Sequence, residues 1–166
     1  MGRTPARGAA GREGGMSDRF ALVRAGDGRR IAVPGNTVRV LYGGEQTGDA
    51  YALIEFEFAA GFAVPIGHAH EREDELVVVL AGELDVTVGE RRERLRPGDA
   101  LLKPRGTPHT MANTATGPTR FLEISSPAGM ERYFADLGAL LVGGMPPDPA
   151  PIIALMRRYG ITPTAR

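Results

Sequence analysis

The chain has 166 residues, room for one domain with a real core. Its formal net charge is zero, which argues against a general nucleic-acid surface, and the lack of cysteine excludes disulfides and thiolate chemistry. No apolar run approaches the ~20 residues of a membrane span and no signal-peptide core follows the N-terminus, so a soluble cytoplasmic protein is expected.

The 23 glycines and 13 prolines favour a turn-rich, all-β domain. Met1 to Ser17 is rich in Gly, Arg and Ala, lacks apolar periodicity, and is expected to be a disordered tail. Met16 is an alternative start. Phe20 to Val23 and Arg30 to Val33 are short strand candidates joined by the turn Gly26-Asp27-Gly28. After Pro34-Gly35-Asn36, Val38 to Tyr42 reads as a strand, and Gly43 to Asp49 as a polar loop. Tyr51 to Phe58 is a strand with Glu55 and Glu57 on one face and Ile54, Phe56 and Phe58 on the other. Either face can line a cavity at this stage.

Pro65 to Gly82 contains His68, His70 and Glu75 in the spacing His-x-His-x4-Glu. In an extended chain, residues i and i+2 share a face, so both imidazoles point the same way. Glu71 to Glu75 is charged throughout and reads as a solvated turn. Leu76 to Leu80 is an apolar, β-branched run typical of a buried strand, with Glu75 at its mouth. Leu84 to Val88 and Arg91 to Leu95 form a hairpin about Gly89-Glu90, whose Arg91, Arg92, Arg94 and Arg96 read as a solvated face.

Gly98 to Asn113 has the form Gly-x5-Pro-x-Gly-x2-His-x3-Asn, with Ala100 to Leu102 and His109 to Asn113 extended. Period 2 puts Met111 on the face of His109, with Asn113 deeper. All three histidines of the chain fall on these two stretches. Three imidazoles and one carboxylate form a borderline-soft set that suits Zn, Fe, Mn, Ni, Co or Cu rather than Mg or Ca. Thr119 to Ile124 is the last clear strand. Met130 to Leu141 and Ala150 to Tyr159 then show helical periodicity, the second started by Asp148-Pro149 and stopped by Gly160.

The two histidine stretches resemble the two consensus motifs of the cupin superfamily. The second matches at every fixed position. The first matches from His68 through Gly82, but six residues separate Gly61 from His68 where the consensus has five, which reads as a loop insertion. The resemblance implies an all-β double-stranded β-helix (jelly-roll barrel) over residues 18–126, followed by a helical extension over 127–166. Gly129 to Gly138, with Gly43 to Thr47, is also similar to segments of bacterial monocupin quercetinases.

That resemblance implies one divalent transition metal held by His68, His70, Glu75 and His109. It also implies that Glu75 is the catalytic base, taking the proton of a flavonol hydroxyl before dioxygen attacks and carbon monoxide leaves. The small-molecule substrate is then aromatic or polyphenolic, and the chain a homodimer with neither nucleic-acid nor membrane partners. Two alternatives stay open: a non-redox metal-dependent cyclase or isomerase, and a small-molecule-binding protein without catalysis. The cavity wall is expected to be apolar, from Val77, Val79, Met111 and the strand Tyr51 to Phe58.

Overall fold

The computed structural model describes residues 20–146 and 148–164. The expected tail, Met1 to Ser17, lies outside the described residues. Among the described residues, eleven strands and three helices follow one another. The first part contains β1 (Arg29–Val33), β2 (Asn36–Tyr42), α1 (Gly44–Thr47), β3 (Ala52–Phe58), β4 (His68–His70) and β5 (Asp74–Ala81). Then come β6 (Leu84–Val88), β7 (Arg91–Leu95), β8 (Ala100–Lys103), β9 (His109–Ala112) and β10 (Thr119–Ser126). The chain closes with α2 (Met130–Leu140), α3 (Ala150–Arg158) and β11 (Ile161–Pro163).

The strands form two antiparallel sheets, a six-stranded one ordered β1-β2-β3-β10-β5-β8 and a five-stranded one ordered β11-β4-β9-β6-β7. This is the all-β fold that the turn-rich sequence predicts and the jelly roll that the family resemblance implies, with helices after the last long strand. The core follows from period-2 alternation. Ala52, Ile54, Phe56 and Phe58 of β3 point inward and are buried. Phe121 of β10 lies opposite Phe56 in register and is fully buried. Its ring stacks on Phe56 at 5.2 Å between centroids and meets Phe58 edge-on at 4.9 Å. The apolar face of β3 therefore turns inward. Glu55 faces outward to its cross-strand partner Arg39, whose Nη2 lies 2.6 Å from Glu55 Oε2.

Several local expectations are corrected. Phe20 to Val23 forms no strand; Phe20 is 85% exposed and Leu22 61%, so this apolar alternation has no sheet to join. The polar loop after Gly43 contains the single turn α1, because Gln46 Oε1 accepts from the Gly43 amide (3.0 Å). The acidic run is not a fully solvated turn: Glu73 and Glu75 are buried, and β5 starts already at Asp74. Helix α3 starts at Ala150 as expected, but its N-cap is Pro149 rather than Asp148, whose Oδ1 accepts from the Ala150 amide (2.8 Å).

Helix α2 packs on β1 and β3, with the Phe134 ring edge-on to Phe56 at 5.1 Å, and α3 packs on α2. The buried Glu131 ties the two similar segments together: its Oε1 accepts from the Gly44 amide (3.1 Å) and its Oε2 from the Gly129 amide (2.8 Å). A Cβ on Gly43 would lie 2.9 Å from Glu131 Cγ, so this approach needs glycine. After α3 the chain returns as β11 along β4, an addition to the expected strands.

Candidate metal centre and cavity

Three elements of the barrel deliver the histidines and Glu75. β4 carries His68 and His70, β5 presents Glu75 near its start, and β9 opens with His109. His68 and His109 are direct antiparallel partners, and that pairing brings their rings to 4.7 Å between centroids. His68 and His70 stand 5.1 Å apart, His70 and His109 5.3 Å. One potential ligand atom from each of the three histidines lies within 4.8 Å of the others.

The ring orientation is fixed from behind. His68 Nδ1 lies 2.9 Å from the Ile66 carbonyl and His109 Nδ1 3.0 Å from the Thr107 carbonyl. A carbonyl only accepts, so each Nδ1 carries the proton and each Nε2 keeps its lone pair. His70 Nδ1 faces the carboxylate of Glu73 at 3.7 Å. Burial, followed by the charges His109 and His70 would carry, lowers His68 to about 3; burial also lowers His109. His68 and His109 are thus neutral at physiological pH, the form in which an imidazole binds a metal.

Glu75 approaches two of the three rings. Its Oε1 is 3.3 Å from His70 Nε2 and its Oε2 3.2 Å from His109 Nε2. On its far side, Lys103 Nζ lies 2.7 Å from Glu75 Oε2 as an ion pair and donates a hydrogen bond to Glu123 Oε2 at 2.7 Å. All three side chains are buried. Burial pushes the Glu75 carboxyl up, but Lys103 and the imidazoles of His70 and His109 more than offset it, holding Glu75 well below the usual carboxylate range. Burial and the neighbouring Glu75 raise Glu123 to about 7. Burial lowers Lys103, yet the two carboxylates prevail and hold it above its ordinary value.

The residues fit a divalent transition metal. His70 Nε2 and His109 Nε2 are buried without hydrogen-bond partners, an arrangement that costs free energy unless something occupies the space between them. The buried carboxylates Glu73, Glu75 and Glu123 outnumber the buried ammonium of Lys103, so a cation would offset excess negative charge. The donor set is nitrogen-rich, which selects against Mg and Ca.

Beside the cluster lies a cavity of about 130 Å³. Its apolar wall includes Phe56, Phe58, Phe62, Met111, Phe134 and Met156, and His68, Glu75, Lys103 and Glu123 also line it. The apolar wall is as expected, with one correction. Val77 and Val79 do not line it; they are buried between the layers, and α2 and α3 supply residues in their place. Met111 also lies 3.8 Å from Lys103 Nζ through its sulfur, and Asn113 is fully buried, donating to the Gly117 carbonyl at 2.8 Å.

Lys103, Glu123 and Glu73 are the site residues that sequence reasoning missed. One signal was present: Phe121, Glu123 and Ser125 alternate on one face of β10, so a charge shares the face of a buried phenylalanine. Its partner is visible only through the sheet, where Glu75 and Lys103 are cross-strand neighbours on β5 and β8.

Two facing antiparallel sheets with a histidine cluster between β4, β5 and β9 define a jelly-roll protein with a candidate metal centre. A family model described as a cupin domain matches residues 54–125, covering β3 to β10. Residues 54–125 are thus similar to the cupin domain family. Over 89 residues the chain is 34% identical to quercetin 2,3-dioxygenase of Bacillus subtilis (strain 168), covering 54% of this chain and 26% of that protein. A 55-residue stretch is 40% identical to a protein named endoribonuclease YbeY of Myxococcus xanthus (strain DK1622), covering 33% of this chain and 19% of that protein. The chain thus spans about a quarter or less of the length of these curated relatives. Among solved structures, the polyketide cyclase RemF from Streptomyces resistomycificus is similar with a TM-score of 0.57 and 28% identity, over 64% of this chain and 79% of that one. No helix among the described residues is long and apolar enough to cross a membrane.

Proposed function

We propose that this chain is a metal-dependent cupin enzyme, and within that class a quercetinase-like dioxygenase acting on an enolisable, flavonol-like substrate. The observation that carries the reading is the convergence of three imidazoles, His70 and His109 buried and His68 half-buried, and the Glu75 carboxylate beside an apolar, aromatic-lined cavity. His68, His70 and His109 would hold the metal, with Glu75 as fourth ligand and base. When bound, the metal supplies a Lewis-acid centre that makes a substrate hydroxyl more acidic. The phenylalanine wall receives the aromatic rings and excludes water. Glu75, kept ionised by Lys103, takes the hydroxyl proton at Oε1, the oxygen turned away from the lysine. The likeness to quercetin 2,3-dioxygenase supports dioxygen as co-substrate.

A non-redox cyclase using the same residues is the second reading, favoured by the likeness to the polyketide cyclase. Oxygen uptake with a flavonol, measured after separate loading with Fe(II), Ni(II), Co(II), Mn(II), Cu(II) and Zn(II), distinguishes them. The dioxygenase reading expects flavonol-dependent uptake with at least one metal, and Glu75→Gln should slow it by about 10²–10⁴-fold while the metal stays bound. Full metal loading without uptake for any metal would remove the dioxygenase and leave the cyclase.

A further inference from the structure

Lys103 is a buried ammonium between two buried carboxylates, Glu75 on β5 and Glu123 on β10, with 2.7 Å to each. A lysine is almost never this buried unless paired, and for stability alone a well-packed apolar side chain would serve as well. Its position is specific. It faces Glu75 directly across the β5–β8 pair and reaches the oxygen of Glu75 that also faces His109. Both Lys103 and Glu123 also line the cavity.

We propose that Lys103 is a positioning residue that divides Glu75 between the histidine centre and the sheet behind it. One carboxylate cannot give its full charge to an ammonium and to a metal cation at once. Lys103 shares Oε2 with His109, at 2.7 and 3.2 Å, and leaves Oε1 to His70 alone at 3.3 Å. Glu123 on β10 competes for the same ammonium at 2.7 Å, so the Glu123–Lys103 pair sets how much of Glu75 is available to the centre. This rests on the reading of the three histidines as a metal centre.

The two ends of the chain of charges then act with opposite sign. Lys103→Met frees Glu75, so the full chain should bind Co(II) about tenfold or more tightly. The visible absorption of Co(II) should change in the same variant, because its ligand number rises as Glu75 joins fully. Glu123→Gln turns the ammonium wholly toward Glu75 and should weaken Co(II) binding by a similar factor. Glu75→Gln placed in the Lys103→Met background should erase both the gain and the new spectrum. If Lys103→Met does not fold, Lys103→Met with Glu123→Gln removes the leftover carboxylate repulsion and should show the same altered spectrum.

Weaker binding in the lysine variants and an unchanged spectrum would make Lys103 merely structural and overturn the proposal. A gain that survives Glu75→Gln would reduce it to a bulk charge effect and overturn it too. A wild-type chain that takes up no Co(II) would instead remove the metal centre on which both readings stand.

Discussion

The ligand strand β4 is held mainly by the end of the chain, and this sets up a test of how the site is supported. β4 is only three residues long and pairs with β9 in one register position, His68 with His109. With β11 it pairs in three: Ile161 with His70, Thr162 with Ala69, and Pro163 with His68. Two further bonds flank the pair, Glu71 N to the Gly160 carbonyl (2.9 Å) and Thr164 N to the Gly67 carbonyl (2.7 Å). Ile161 is the buried anchor of β11, at 1% exposure. Ile161→Ala removes three buried carbons and leaves a cavity, a loss of about 3 kcal/mol within the usual range for this change. For a chain of this size that corresponds to a melting-point drop of roughly 6–12 °C. The drop should come with weaker Zn(II) or Co(II) binding, since both β4 histidines lose their outer support. Thermal melting by circular dichroism and a competition titration with a metal indicator measure the two effects. Melting within about 2 °C of wild type, with unchanged metal affinity, would refute the role given to β11.

Other outcomes follow from single features. Gly82→Ala should destabilise the fold by roughly 2–4 kcal/mol, measured by urea unfolding. Gly82 has φ +76°, and a Cβ there would lie 2.6 Å from the Pro118 carbonyl oxygen and 2.9 Å from Thr119 Cα. A loss under about 1 kcal/mol would show that the neighbouring loop yields. Burial pushes the Tyr133 phenol up to about 12, so a spectroscopic phenolate titration should show one tyrosine ionising there and Tyr133→Phe should remove that step. The sign for stability follows: above about pH 10 the unfolded chain releases this proton while the folded chain keeps it. This part of the stability is therefore complete below pH 10 and is lost as pH rises toward 12; a Tyr133 that ionises with the exposed tyrosines would contradict it.

Much of the site was legible because its spacing is a direct consequence of strand geometry. His68 and His70 must share a face in an extended segment, and Pro104 and Gly106 form the turn that delivers His109. The inward face of β3 was not legible. Alternation separates Glu55 from Phe56, but only the partner row on β10, with Phe121 fully buried, decides which face turns in. The buried charges were hidden for a similar reason. Glu73 reads locally as part of a solvated turn although it faces His70 three residues before it, whereas Lys103 and Glu123 are compensated between strands distant in sequence. Phe20 to Val23 misled because an apolar alternation needs a sheet edge, which periodicity does not report. β11 escaped because its three residues, Ile161–Pro163, carry no period of their own; the strand exists through its pairing with β4.

The central claim is that the three histidines form one transition-metal centre. Its most direct test is the metal content of the dialysed chain by mass spectrometry, after loading with each of the six metals, for wild type, His70→Ala and His109→Ala, with circular dichroism as the control for folding. About one metal ion per wild-type chain is expected, with loss of nearly all of it in both variants while the β-sheet signal persists. Full metal retention in both folded variants, or no metal in the wild type under any loading, would contradict it.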